Sequence, residues 1–268
     1  LLEKKPLHGS ALNNLAYILH KIGKIDQAVL YYKQLLKVNP DHVSADHMLA
    51  AITGSHRSTA PLSYIKGVFD SYSNQYENSL KYKLHYALPD RLYTMVSGSS
   101  GKKRFNQLLD LGCGTGLIGD FFRKSVDVLH GVDISPNMIK IADSKKIYDL
   151  LIIKNINDAI ADIGEESYDL LIAADVFTYI GDIRYILNRL FEIGTSNCLF
   201  YFSVEDLTAE RKDITLRATG RFAHSRNYIR QAADTAGWQI VEAETVNLRK
   251  ERNSWIKGAV YGLKKPAT

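Results

Sequence analysis

Apolar and polar positions follow two different rhythms along the 268 residues of this chain. Toward the N-terminus Leu12, Leu15, Tyr17, Ile18, Leu19 and Ile22 recur at helical spacing, which predicts a helix closed by Gly23. Ala28, Val29, Tyr32, Leu35 and Leu36 predict a second helix, with Asp26 placed to cap its start and Pro40 to stop it. Residues Val43 to Thr53 read as a third. The polar run "TGSHRSTAP", Thr53 to Pro61, reads as a linker. An aromatic-rich stretch of helical tendency follows over 62–97. After it the rhythm changes to short apolar runs alternating with amphipathic ones. The runs predict strands at Phe105–Leu111, Val128–Asp133, Leu150–Lys154, Tyr168–Ala173, Cys198–Val204, Gln239–Leu248 and Ile256–Lys264. Helices are predicted at Leu117–Lys124, Pro136–Tyr148, Ile183–Ile193 and Ser225–Gly237. Strands alternating with helices imply an α/β fold with a largely parallel sheet covered on both faces. The short connections leave no room for an eight-unit barrel. An open, doubly wound sheet is expected, with its ligand at the carboxyl ends of the strands.

The most informative stretch is "LLDLGCGTGLIG", where Gly112, Gly114, Gly116 and Gly119 follow the first predicted strand. Such a turn lets a ligand approach the backbone. Gly114, Gly116 and Gly119 satisfy the dinucleotide spacing, so a nicotinamide dehydrogenase has to be weighed. Asp110, just before the turn, argues against it, because a pyrophosphate placed on the following helix would meet a carboxylate. A ligand with a positive group suits Asp110 better. S-adenosylmethionine is one, with an ammonium and a sulfonium. Asp133, at the end of the second strand, stands about 20 residues after the turn, where an acidic side chain can bind both ribose hydroxyls. The competing role for Asp133 is a helix cap, which Ser135 can fill instead.

With these residues in place, the motifs "LLDLGCGTGLIG", "LHGVDISPNMIKIA" and "YDLLIAADVFTYIGD" resemble, in order and spacing, those of class I S-adenosylmethionine-dependent methyltransferases, from about Phe105 to Lys265. The N-terminal helices resemble a tetratricopeptide repeat, with small Ala16 and Ala28 where helices approach and Tyr32 and Pro40 at its aromatic and proline positions. Leu35 departs from that pattern. "FDSYSNQYENSL" and "GRFAHSRNYIRQAADTAGW" are similar to bacterial methyltransferases that carry such repeats, relatives of the type-11 and of the ubiquinone- or biotin-pathway enzymes. The resemblance implies a Rossmann-like seven-stranded sheet whose last strand is antiparallel. It divides the chain into a helical segment over 1–54, a linker over 55–61 and a catalytic domain over 62–268 with a lid at 62–97. It implies that Gly112, Gly114 and Gly116 line the methionyl part, with Cys113 contributing backbone. Asp133 would hold ribose, with Ile134 and Met138 against adenine. Asn155 or Ile156 would meet the adenine edge, and Ala174 and Asp175 would stand beside the sulfonium. Tyr72 would close over the cofactor.

Methyl transfer needs the nucleophile held in line, and a base only where a proton must leave. Asp175, Tyr179, His224 and Tyr228 are the polar residues expected at the acceptor, His224 being the best candidate base. Arg221 and Arg226 could pair with an acidic group. No Asn-Pro-Pro-Tyr-type run follows the fourth strand, which disfavours nucleic acid. A small molecule fits better, or, as the resemblance to the biotin-pathway enzymes implies, a carrier-protein-bound acceptor, in either case methylated on oxygen. The other class open to the chain is a non-catalytic, cofactor-binding adaptor whose repeat segment binds a partner protein. Composition alters little. The two cysteines, Cys113 and Cys198, form no CxxC pair, which speaks against structural zinc and fits the reducing cytoplasm. No apolar run approaches the ~18 residues of a membrane span. The net charge of +5 is mild, and the clusters "GKKRF" and "NLRKERN" are expected on the solvated surface.

Overall fold

The first apolar rhythm forms helices α1 (Gly9–Lys21), α2 (Ile25–Val38) and α3 (Val43–Thr53) in the computed structural model. The structure describes Leu2 and residues 5–78, 86–101, 104–165, 167–207, 212–251 and 254–267. Leu12, Ala16, Ala28, Tyr32 and Leu35 form a small core between the helices, with both alanines fully buried where the backbones approach. Gly23 ends α1 in a left-handed conformation, and α2 starts one residue before Asp26. The helices do not stand apart from the rest of the chain. His47 of α3 is buried, and its Nε2 meets Gly220 O at 2.9 Å. A carbonyl accepts, so Nε2 carries the proton.

The expected linker is a pairing segment. Ala60 N donates to Tyr179 O at 3.0 Å, and Gly181 N and Asp182 N both donate to Ser58 O, at 2.9 and 3.0 Å. Thr59 thereby forms an antiparallel bridge with Ile180. Composition misled here, because backbone groups made the contact. The lid region contains α4 (Leu62–Tyr72), a one-turn α5 (Tyr76–Asn78) and α6 (Leu88–Ser100). The part of the expected lid at 79–85 lies outside the described residues.

The sheet contains nine strands among the described residues. β1 (Phe105–Leu111) and β4 (Tyr168–Ala173) span the predicted residues. β2 (Val126–Asp133), β5 (Gly194–Asp206), β8 (Gln239–Glu251) and β9 (Ser254–Lys264) outrun their predictions, and β3 (Leu150–Ile153) is one residue shorter. β6 (Ile214–Leu216) and β7 (Phe222–His224) form a hairpin that sequence reading missed. The parallel order β3-β2-β1-β4-β5 continues through β9, which is antiparallel to both β5 and β8. The β6–β7 hairpin attaches to the last two residues of β5, Glu205 and Asp206. Helices α7 (Leu117–Phe122), α8 (Pro136–Ser144), α9 (Ile156–Ala161), α10 (Arg184–Ile193) and α11 (Arg226–Thr235) fill the crossovers, α9 being another element missed.

Apolar side chains cover both faces of the sheet. Phe177, Phe200, Phe202 and Trp238 pack under α10 and α11, and Leu92, Phe122, Leu129 and Tyr201 under α6 and α7. Strand order reverses between β1 and β4, which opens a crevice beyond their carboxyl ends. Among the described residues no helix is long and apolar enough to cross a membrane.

Candidate cofactor and acceptor site

A cavity of roughly 800 Å³, counting its open mouth, occupies that crevice, within the usual range for small-molecule sites. Its floor is the turn after β1. Gly112 and Gly114 have φ of +67° and +53° and line the cavity. A Cβ on Gly112 would lie 2.5 Å from Val176 Cγ2, so the turn and the loop after β4 approach too closely for any side chain. Gly116 and Gly119 serve another purpose. The ring of Tyr148 lies over both, and a Cβ on Gly119 would come within 2.7 Å of it. Gly116 therefore does not line the cavity, contrary to expectation. Tyr148 falls in the loop after α8 because the helix stops at Ser144, with Lys146 in the left-handed region.

Asp110 lies beneath the turn. It is buried, its Oδ2 accepts from Tyr148 Oη at 2.7 Å, and its Oδ1 is buried without a partner in the described structure. Burial pushes its carboxyl up to about 7, with the Tyr148 bond opposing and the nearby Asp133 adding. Thr115 Oγ1 is likewise buried and unpartnered. These orphaned oxygens beside two cavity-lining glycines fit a cationic group held through the turn.

Asp133 is where β2 predicts it. Gly114 N donates to its Oδ2 at 2.9 Å and Ser135 N to its Oδ1 at 2.8 Å. Ser135 Oγ accepts from Met138 N at 3.1 Å and caps α8, so Asp133 is left free to face the cavity it lines. Each carboxylate oxygen has a second acceptor position for a diol. Burial pushes the Asp133 carboxyl up, and its backbone bonds work against that. Ile134, Asn155, Ile156 and Ala174 complete the wall. Asn155 also caps α9, where its Oδ1 accepts from Asp158 N at 3.1 Å and its amide nitrogen bonds the Asp158 carboxylate. Met138 is fully buried within α8 and does not reach the cavity, and Cys113 turns its sulfur toward Gly131. The Cys113 thiol is pushed well up by burial, which disables it as a nucleophile.

The roof is aromatic. Phe69, Tyr76 and Tyr179 line the cavity, with Phe69 edge-on to the other two at ring distances of 6.1 and 5.3 Å. Tyr76 takes the place expected of Tyr72, which stands behind it at 6.0 Å. The roof is tied down by Asp70, which accepts from Ser135 Oγ at 2.5 Å and pairs with Lys66.

On the acceptor side Asp175 lines the cavity at φ +58°, its N–H donating to Ser203 Oγ at 2.9 Å. Arg249 Nη1 donates to Asp175 Oδ1 at 2.8 Å. Arg249 is only 1% exposed, although its segment "NLRKERN" reads as solvated surface; Arg252 and Asn253 of that run, and Lys102 and Lys103 of "GKKRF", lie outside the described residues. The same guanidinium reaches Glu205 and, at 2.9 Å, Glu251. Arg217 pairs with Glu205 at 3.3 Å, and Arg221 pairs with Glu251 and bonds Tyr179. Three cations and three carboxylates thus interlock behind the cavity. The β6–β7 hairpin, which brings Arg217 and Arg221 to this network, carries no strong apolar pattern, which is why it was missed.

His224 is not part of the cavity. It is 1% exposed, its Nε2–H donates to Gly181 O at 2.7 Å, and burial lowers its pKa to about 4. A neutral, enclosed imidazole holding a loop is a structural part, not a base. Tyr228 is likewise engaged: its hydroxyl donates to Asp182 at 3.0 Å and accepts from Ile183 N at 2.8 Å. Arg226 bonds Asp206 and Thr245 away from the cavity.

Comparison with known proteins agrees with this geometry. A methyltransferase-domain profile matches residues 109–200, and a tetratricopeptide-repeat profile matches residues 9–42. Residues 109–200 thus carry a methyltransferase domain, and residues 9–42 before them a tetratricopeptide repeat. The methyltransferase domain is similar to malonyl-(acyl-carrier protein) O-methyltransferase 1 of Ilyobacter polytropus, 31% identical over 47% of this chain and 46% of that protein. It is also similar to the malonyl-(acyl-carrier protein) O-methyltransferase of Bacillus anthracis, 24% identical over 72% of this chain and 74% of that one. The chain thus spans about half the length of the first relative. Its fold is shared with magnesium protoporphyrin IX methyltransferase of Synechocystis, solved with bound SAH, at a TM-score of 0.60 and 14% identity, over 76% of this chain and all 100% of that one.

Proposed function

We propose that the protein is an S-adenosylmethionine-dependent methyltransferase that methylates an oxygen of a small or carrier-bound acceptor, and that this oxygen belongs to a carboxylate. The observation that carries the cofactor assignment is Asp133 at the carboxyl end of β2, which lines the cavity while the backbone N–H groups of Gly114 and Ser135 hold its carboxylate. The bound cofactor supplies a methyl group already activated by a sulfonium. Gly112 and Gly114 admit its amino-acid portion to the backbone, Asp110, buried beneath the turn and outside the cavity lining, acts on its ammonium through that turn, and Ile134 and Ile156 offer an apolar slot for its base.

The acceptor oxygen is argued from the residues facing the cavity. Among the described residues no histidine lines it, and burial pushes the Tyr76 phenol up, away from service as a base. Asp175 is committed to Arg249. A carboxylate is already ionised at neutral pH and needs no base. The aromatic roof holds the acceptor against the methyl, which supplies orientation. The malonyl carrier-protein methyltransferases among the relatives support the same reading.

Calorimetric titration with S-adenosylmethionine and, separately, NAD tests the cofactor assignment. Micromolar binding of the first, about −8 kcal/mol, no heat with NAD and at least tenfold weakening in Asp133→Ala are expected. Equal binding in that variant overturns the assignment. Incubation with a malonyl thioester tests the acceptor: transferred methyl released by mild alkali as volatile methanol marks a methyl ester, whereas methyl that stays non-volatile refutes the carboxylate.

A further inference from the structure

The repeat is keyed into the catalytic domain, yet it leaves a large apolar face in solvent. Tyr17 and Ile18 on α1 and Ile22 just past its end are 49%, 54% and 61% exposed, and on α2 Leu30 is 62% exposed. The opposite faces of the same helices already form the hairpin core, so these residues are not needed to fold it. Cations surround them. Lys21, Lys24, Lys33 and Lys37 stand against a single acidic residue, Asp26, between Gly9 and Val38. Lys21 Nζ lies 5.3 Å from the centre of the Tyr17 ring, within the apolar face itself. An apolar patch set among cations and nearly free of carboxylates is complementary to an acidic protein surface.

The repeat is also anchored close to the cavity. The His47–Gly220 bond fixes α3 to the turn of the β6–β7 hairpin. The ring of Tyr64, on α4, lies 4.6 Å from that of His47. The repeat is therefore fixed, through α3, to the hairpin whose turn carries Arg217 and Arg221 into the network behind the cavity.

We propose that this face docks a small acidic carrier protein, which presents its acyl group to the cavity. The proposal rests on the reading of a carrier-borne acceptor and assigns the repeat as the element that selects the carrier over the free thioester. Charge and apolar contact divide the work: the lysines steer and orient, and the Tyr17–Ile18–Ile22 face supplies the buried contact.

Two probes separate the proposal from the function it rests on: malonyl-loaded acyl carrier protein and the malonyl thioester of a short thiol. The intact chain is compared with Lys21→Glu/Lys24→Glu and with Ile18→Ser/Ile22→Ser, all checked by thermal unfolding. We expect Kd and KM for the carrier to rise about tenfold or more in both variants, kcat to stay unchanged, and KM for the short thioester to stay unchanged. Lys21→Arg/Lys24→Arg should bind as the parent does, and binding should weaken with salt. Unchanged carrier Kd in both variants overturns the docking surface even if both probes are methylated. An equal rise in KM for both probes overturns it as well, since the effect would then lie in the cavity. Patch-dependent carrier binding with methylation of neither probe leaves the surface standing and refutes the acceptor.

Discussion

Arg249→Met removes the cation at the centre of the network behind the cavity while keeping an apolar stem of similar length. The guanidinium bonds Asp175, Glu205 and Glu251, and its side chain is 2% exposed. Glu205 and Glu251 keep Arg217 and Arg221, but among the described residues Asp175 is paired with Arg249 alone. Leaving a fully buried carboxylate uncompensated costs about 3–5 kcal/mol; the Asp175 side chain is 17% exposed and two cations remain in the network, which puts the expectation at the low end, about 3 kcal/mol. At roughly 2–4 °C per kcal/mol for a chain of this size, the melting temperature should drop by about 6–12 °C.

The pH dependence is a sharper test. Burial raises the Glu251 carboxyl, but Arg221 and Arg249 together hold it below its ordinary value of 4.5. A depressed folded pKa contributes stability that is present above the unfolded value and lost as pH falls through the folded one. The deficit of Arg249→Met should therefore be full at pH 7 and narrow as pH falls below about 4.5, through the folded value of Glu251. Urea unfolding across that range reads it directly. Adding Asp175→Asn to the variant should recover part of the loss, because the charge left without its partner then disappears. A loss under about 1 kcal/mol, or a deficit that is constant from pH 7 to pH 4, refutes the idea that these charges hold the acceptor wall together.

Three further outcomes follow from the site. Gly112→Ala should cost roughly 1–2 kcal/mol from its left-handed backbone alone, plus the clash with Val176, so Gly112→Ala/Val176→Ala should recover the steric part but not the rest, as measured by chemical unfolding. Because burial raises the Asp110 carboxyl to about 7, its ionisation opposes folding increasingly from pH 3.8 upward; Asp110→Asn without cofactor should be more stable than the parent at pH 8 and equal to it near pH 4, and equal stability at both would refute the shift. His224→Gln, which can still donate to Gly181 O, should keep the rate and its pH profile, whereas His224→Phe should lower stability by about 1–3 kcal/mol; a large loss of rate in the glutamine variant at unchanged stability would restore His224 to the chemistry.

Local signals determined much of this protein. The glycine turn, Asp110 and Asp133 were readable because each depends on residues close in sequence: a strand end, a positive φ and an acidic side chain at a set distance. The three N-terminal helices and the parallel sheet followed from apolar spacing for the same reason. Only tertiary structure could decide which partner each side chain meets. Tyr148 occupies Gly116 and Gly119 because α8 stops early, so two of the four glycines serve packing rather than ligand. His224 became a buried strut because the β6–β7 hairpin folds onto β5, a contact made by backbone pairing that leaves no apolar periodicity. Arg249, in a run of charges that reads as surface, lies buried because Glu205, Glu251 and Asp175 come from separate elements to meet it. Charge compensation at that distance in sequence has no local signature, and neither has the pairing of Ser58 and Ala60 with the loop after β4.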